Sequence, residues 1–244
     1  GGFTYSKKEL STCTEFLKSI NFRFIITRDS LCYSMYSKNF KNVYQGICSG
    51  WLLSLYYNNN NLQIDNPFYT FCFDSIIEPK FYDFKAVDRF TTRFLPLSNI
   101  FLSNRRSFSL IGKASYYLFN RYFGNKLPSK INNHKIIRPT HTILSRPIPF
   151  VFSKTNSFFS ELATDYIKLY SNSSLTLTDR VHAALCTACY GKPFKLFTKS
   201  KRSLLFEPLG FKNISSQVNS INLQLLIDKQ NSFITKIRQI ITDI

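Results

Sequence analysis

Within NSSLTLTDRVHAALCTACYGKP, residues 172–193, a carboxylate, a guanidinium and an imidazole arrive close together at Asp179, Arg180 and His182. The SLTLT run before them reads as a strand, and residues 182–190 after them read as a helix ending at Gly191. In open α/β sheets, ligands collect beyond the carboxyl ends of strands, where loops feed helix N-termini. The N–H groups and helix dipole there attract an anion, and an arginine adds a fork suited to phosphate or carboxylate. Thr178 or Asp179 is placed to cap the helix through a side-chain oxygen. His182 falls in the first turn and faces the same space. Its type admits proton transfer, and its position equally admits a packed or solvated ring.

FRFIITRDS, residues 22–30, repeats the arrangement, with Arg28 and Asp29 after an apolar strand and before a helix. If each strand belongs to its own α/β domain, the two loops face each other across a cleft. An anion would then sit between Arg28 and the Arg180–His182 pair. A local Arg28–Asp29 ion pair with Asp29 as helix cap is the structural alternative. On pattern alone, Lys199, Lys201 and Arg202 make a solvated basic turn, and His134 and His141 lie at the surface of a loop. Cys186 and Cys189 form the only CxxC among six cysteines. With no second pair to complete a metal site, they read as small packing residues in the helix, and no metal is expected.

The elements that must position these groups follow an αβαβ rhythm at the start. Helix is expected over 9–20, strand over 22–27, helix over 31–40 and strand over 42–47. The polar stretch NNNNLQIDN (58–66) reads as a boundary between a domain at 1–60 and a second at 61–244. A strand is expected over 69–76. Residues 77–147 read as an insertion with helical patches near 81–90 and 107–122 and a Pro-punctuated loop over 126–147. Strand over 148–153, helix over 157–172, strand over 193–197 and an amphipathic helix over 221–241 complete the pattern. The opening GGFTYSKKEL runs straight into helix-like sequence, so an N-terminal portion is expected to be missing.

The 244 residues, 44% apolar and 19% charged, suffice for a real hydrophobic core and exclude a disordered chain. No apolar run approaches the roughly 18 residues of a membrane span, no signal peptide is apparent, and the expectation is a soluble protein. The net charge of +18 favours an anionic partner. Its cations are scattered, however, and the aromatics alternate within strands rather than interleaving with Lys and Arg. No nucleic acid is therefore expected.

LTLTDRVHAALCTACYGKPFKLFTKSKRSLLFEPLGF (175–211) resembles the polysaccharide pyruvyl transferase family, with its T-D-R-x-H-A motif, its G-x-P, and Lys201 nine residues before Gly210. FIITRDSLCYSMYSKNFKNVYQGI (24–47) is similar to an earlier segment of that family, and the opening GGF to a glycine pair ending a preceding strand. The chain departs from the family at Cys48, where an acid is usual. The resemblance implies a GT-B-like α/β fold of two Rossmann-like domains with parallel sheets, the N-terminal one incomplete. It implies transfer of the enolpyruvyl group of phosphoenolpyruvate, with no other cofactor, to a sugar of a cell-surface glycan or its precursor as a pyruvate ketal. Arg28, Arg180 and Lys201 would hold the donor, and His182 would move a proton. Asp179 and Asp29 would support them. The site of action would be cytoplasmic, at the inner face of a membrane carrying a lipid-linked acceptor. A nucleotide-sugar glycosyltransferase would share the fold, and a truncated inactive relative would serve as a binding module.

Overall fold

A computed structural model describes residues 7–20, 22–57, 67–73, 78, 127–141, 154–198, 200–211, 214–215 and 217–242. Helix α1 (Lys7–Ser19) leads into β1 (Ile25–Thr27), α2 (Ser30–Tyr36) and β2 (Val43–Gln45). β1 and β2 pair in parallel, Thr27 opposite Gln45, so their carboxyl ends lie on one edge. A 3-10 turn, Ser49–Leu52, and the short α3 (Leu53–Tyr56) follow.

The larger sheet has the order β4 (Lys130–Ile131), β5 (His134–Pro139), β3 (Phe68–Cys72), β7 (Leu175–Thr178), β8 (Phe194–Leu196), with β6 (Ser157–Phe158) paired to β5. Every pairing is parallel except β4–β5. The chain is thus a mixed α/β protein built on parallel strands. Helices α4 (Ala163–Asn172) and α5 (Val181–Cys189) pack together, and a 3-10 helix (Lys201–Leu209) and α6 (Leu223–Thr242) close the order.

Two expectations are corrected. The expected loop over 126–147 contains the β4–β5 hairpin and a six-residue strand. Asn132 and Asn133 turn it with φ of 48° and 63°, a conformation that Asn tolerates and that suits a two-residue hairpin. The helix expected from 157 begins at Ala163, because Ser157 and Phe158 are taken by pairing with Arg138 and Pro139 of β5. The proposed boundary at 58–66, the helical patches at 81–90 and 107–122, the strand at 148–153 and the opening glycines lie outside the described residues.

β7 alternates between two packed faces. Leu175 and Leu177 join Phe71, Phe73 and Ile136 in one cluster. Thr176 faces α5, sharing a hydrogen bond with the Thr187 hydroxyl at 2.8 Å. Ala184 and Ala188 let that helix lie close to its sheet, while Ala183 and Cys186 pack against Tyr170 of α4. Trp51, fully buried, donates from Nε1 to the Leu205 carbonyl at 3.0 Å and sets its edge on Phe206. It thereby ties the segment after β2 to α5, β8 and the 3-10 helix in one core. α6 returns to β2, where Phe233 stacks on Tyr44 and Gln230 donates to the Trp51 carbonyl. In β5 the buried Arg138 forms a bidentate pair with Glu78 at 2.6 and 2.7 Å and donates to the Thr155 and Pro128 carbonyls. Among the described residues, no helix is long and apolar enough to cross a membrane.

Candidate functional site

At the end of β7 the chain turns sharply. Thr178 Oγ1 donates to the Cys72 carbonyl at 2.9 Å and accepts from the Arg180 N–H at 2.9 Å, while the Asp179 N–H donates to the same carbonyl at 3.1 Å. The N-cap of α5 is Arg180, which brings no side-chain oxygen, rather than the expected Thr178 or Asp179. The Thr178 hydroxyl is consumed one step earlier, in fixing the turn. Asp179 is buried, Arg180 half-buried. His182 is the one residue of α5 outside the core.

The β1 loop is built differently. Asp29 is buried and caps α2, accepting from the Cys32 N–H at 2.8 Å, and Arg28 Nε lies 3.9 Å from its second oxygen. Asp29 is therefore both cap and counter-ion. The 3-10 helix starts with Ser200 accepting from the Arg202 N–H, and near its other end Glu207 accepts from Ser30 Oγ at the start of α2. That contact ties the 3-10 helix to the loop that carries Arg28.

The three segments converge on the imidazole. His182 is exposed to solvent on one side, but the protein around the rest of the ring desolvates it and lowers its pKa below the usual 6.5, and the charges of Arg28, Arg202 and Arg180 lower it further. The structure thus brings Arg28, Arg180 and His182 into one electrostatic neighbourhood from two separate strand ends. Lys201 and Arg202 both stand exposed at the start of the 3-10 helix, and it is the charge of Arg202 that acts on His182. On sequence pattern Arg202 belongs to a solvated basic turn. The signal available is the run KSKR, and adjacency in sequence does not say which cation's charge acts on the imidazole. Lys199 lies outside the described residues.

The remaining candidates resolve into structural roles. His141 is half-buried at the carboxyl end of β5, with Nε2 3.0 Å from the Tyr170 hydroxyl and Nδ1 3.6 Å from Cys72 Sγ. His134 stacks on Tyr69 with ring centroids 4.4 Å apart. Neither is the exposed loop residue expected, because His134 belongs to β5 and His141, just past its end, is held between Tyr170 and Cys72. Cys186 and Cys189 are buried, the Cys189 thiol donating to the Gly50 carbonyl at 3.2 Å. Burial pushes the Cys186 thiol up to about 12 and Cys189 well above its ordinary value, so these are packing thiols rather than nucleophiles. Cys48 is buried in the same core as Trp51. Among the described residues, no group of three or more His, Cys, Asp or Glu side chains is placed to hold a metal ion.

Three guanidinium charges acting on one imidazole are chemically suited to a small, strongly anionic molecule. A family model described as polysaccharide pyruvyl transferase matches residues 1–198. No curated protein and no solved structure matches the chain.

Proposed function

From the chain's membership of the polysaccharide pyruvyl transferase family, which the match over residues 1–198 shows, we propose that it makes a pyruvate ketal on a glycan, with phosphoenolpyruvate as donor. The observation that carries this reading is the convergence of Arg28, Arg180 and Arg202 on His182. Phosphoenolpyruvate has a phosphate and a carboxylate, and two or three fixed cations are what such a donor needs. Lys201, exposed beside Arg202, guides the anion in. Asp29 and Asp179, both buried, hold the two loops in shape, Asp29 through its helix cap.

In the free protein His182 is biased toward the neutral ring, and the bound donor's negative charge draws a proton onto it, so it serves as the acid that protonates the donor's methylene carbon and then recovers a proton from an acceptor hydroxyl. The donor's methylene carbon gains a proton, which leaves the adjacent carbon electron-poor. Two sugar hydroxyl oxygens bond to that carbon, each losing a proton, and its bond to the phosphate oxygen breaks. One of the two protons balances the new methyl group and the other leaves on phosphate. The guanidiniums hold the phosphate as charge builds on its departing oxygen.

The acceptor is a sugar of a cell-surface glycan or its lipid-linked precursor, handled by a cytoplasmic enzyme at the membrane's inner face. The fold assigned to this reading is GT-B-like, with Rossmann-like domains on either side of the site. Thermal melting separates it from a nucleotide-sugar glycosyltransferase of similar fold. Phosphoenolpyruvate should raise the melting temperature more than a panel of nucleotide-sugars does, by mass action on the folded state. Stabilisation by a nucleotide-sugar with none from phosphoenolpyruvate would replace the pyruvyl reading with the glycosyl one.

A further inference from the structure

A cavity of about 280 Å³ opens where β2 ends, walled by Tyr44, Gln45, Pro208, Lys229, Ser232 and Phe233. That size is near the lower end of the roughly 300–1,000 Å³ typical of small-molecule sites, and suits a compact ligand rather than an extended one. One wall is aromatic, the Phe233 ring lying nearly parallel to Tyr44 at 11° with centroids 6.5 Å apart. Gln45, Lys229 and Ser232 are exposed around it and offer an amide, an ammonium and a hydroxyl. Gly46 makes the wall possible, since a Cβ there would fall 2.4 Å from Phe233 Cε2 and push the ring away. Aromatic rings bordered by an amide, a hydroxyl and an ammonium match a pyranose, which has C–H faces and a rim of hydroxyls. Lys236 Nζ also stands 5.9 Å from the Tyr44 ring centroid, so inorganic phosphate is the competing occupant that the test below must separate.

Its position links it to the cationic cluster. The Gly46 N–H donates to the Thr27 carbonyl at 2.8 Å, and Thr27 immediately precedes Arg28. The cavity edge is therefore one strand spacing, about 5 Å, from the Arg28 loop. Pro208, on the far side, belongs to the 3-10 helix whose first turn carries Arg202.

We propose that this cavity between β2 and α6 holds a sugar unit of the acceptor. The inference rests on the pyruvyl transferase reading for the identity of the reaction, but sugar binding here is measurable without it. The probes are the methyl glycosides of glucose, galactose, mannose and N-acetylmannosamine, tested by saturation-transfer NMR on the full chain. At least one should receive saturation from the wild-type protein and lose it in Ser232→Trp, which fills the cavity from an exposed helix position. Gln45→Ala, which removes a rim amide without adding bulk, should weaken the same signal if the tryptophan variant does not fold. Phosphoenolpyruvate binding, followed by calorimetry, should be unchanged in both. Saturation that persists in both variants, displacement of the sugar by inorganic phosphate, or no saturation from any glycoside would each overturn the proposal. Sugar binding without phosphoenolpyruvate binding would leave the cavity assigned and refute the donor instead.

Discussion

Arg180 and His182 stand two residues apart, and the proposed chemistry asks different things of them. Arg180 holds the donor in ground state and transition state alike, whereas His182 matters when a proton moves. Truncating one partner of a buried, hydrogen-bonded charge pair costs about 2–5 kcal/mol, and an exposed pair about 1 or less. Arg180 is half-buried, which points to the low end, about 2 kcal/mol, or about 30-fold in Kd for Arg180→Ala. His182→Gln keeps a polar side chain of similar reach that carries no proton at neutral pH. Turnover should fall by roughly 10²–10⁴ while donor affinity changes by less than about threefold. The assay is calorimetric titration of phosphoenolpyruvate beside phosphate release with a competent acceptor. Equal loss of binding and rate in His182→Gln would make the imidazole an anion ligand, and no change in either would make it structural. Either result refutes the division of labour argued here.

Binding of phosphoenolpyruvate should draw a proton onto His182, because the anion opposes the burial and the Arg28, Arg202 and Arg180 charges that lower its pKa. Titrations near neutral pH in buffers of different ionisation enthalpy should show net uptake that His182→Gln abolishes. For folding the sign is fixed by the same shift: the unfolded ring binds a proton more readily, so the ring's penalty is present at acid pH and disappears above about 6.5. Wild type should therefore gain melting temperature relative to His182→Gln as pH rises through that window. Glu78→Gln leaves the Arg138 guanidinium buried without its counter-charge and should cost about 3–5 kcal/mol in denaturant unfolding, with Arg138→Met/Glu78→Leu costing less. A single variant as stable as wild type would contradict this. Alkylation of the native protein read by mass spectrometry should modify Cys13 and Cys32, both half-exposed, well before Cys186 and Cys189.

The parts of the fold legible in sequence are those in which a local pattern and a tertiary need coincide. The apolar LTLT run and the small-residue helix behind it form β7 and α5 because a central parallel strand is buried on both faces and its helix must lie close. Asp29 reads as a cap and is one, since capping is decided within four residues. The 157–172 stretch has helical periodicity throughout, yet its first residues are claimed by β5, a partner some twenty residues earlier that periodicity cannot see. The β4–β5 hairpin had a local signal in Asn132–Asn133, obscured by the prolines on either side.

The site divides along the same line. TDRVH places Arg180 and His182 together by adjacency, and any strand-to-helix turn of that sequence would do so. That Arg28 joins them depends on the Trp51 core, which binds the segment after β2 to α5, and on the contact between Ser30 and Glu207. Neither contact leaves a periodic trace. The same two contacts explain why Arg202 rather than Lys201 reaches the ring. Glu207 anchors the far end of the 3-10 helix against α2, and in a helix of three residues per turn consecutive side chains diverge by about 120°. Both side chains are exposed, so it is direction along the 3-10 helix and not burial that lets the Arg202 charge act on the imidazole, and that direction is set by the anchor at Glu207, five residues on, rather than by the basic run itself.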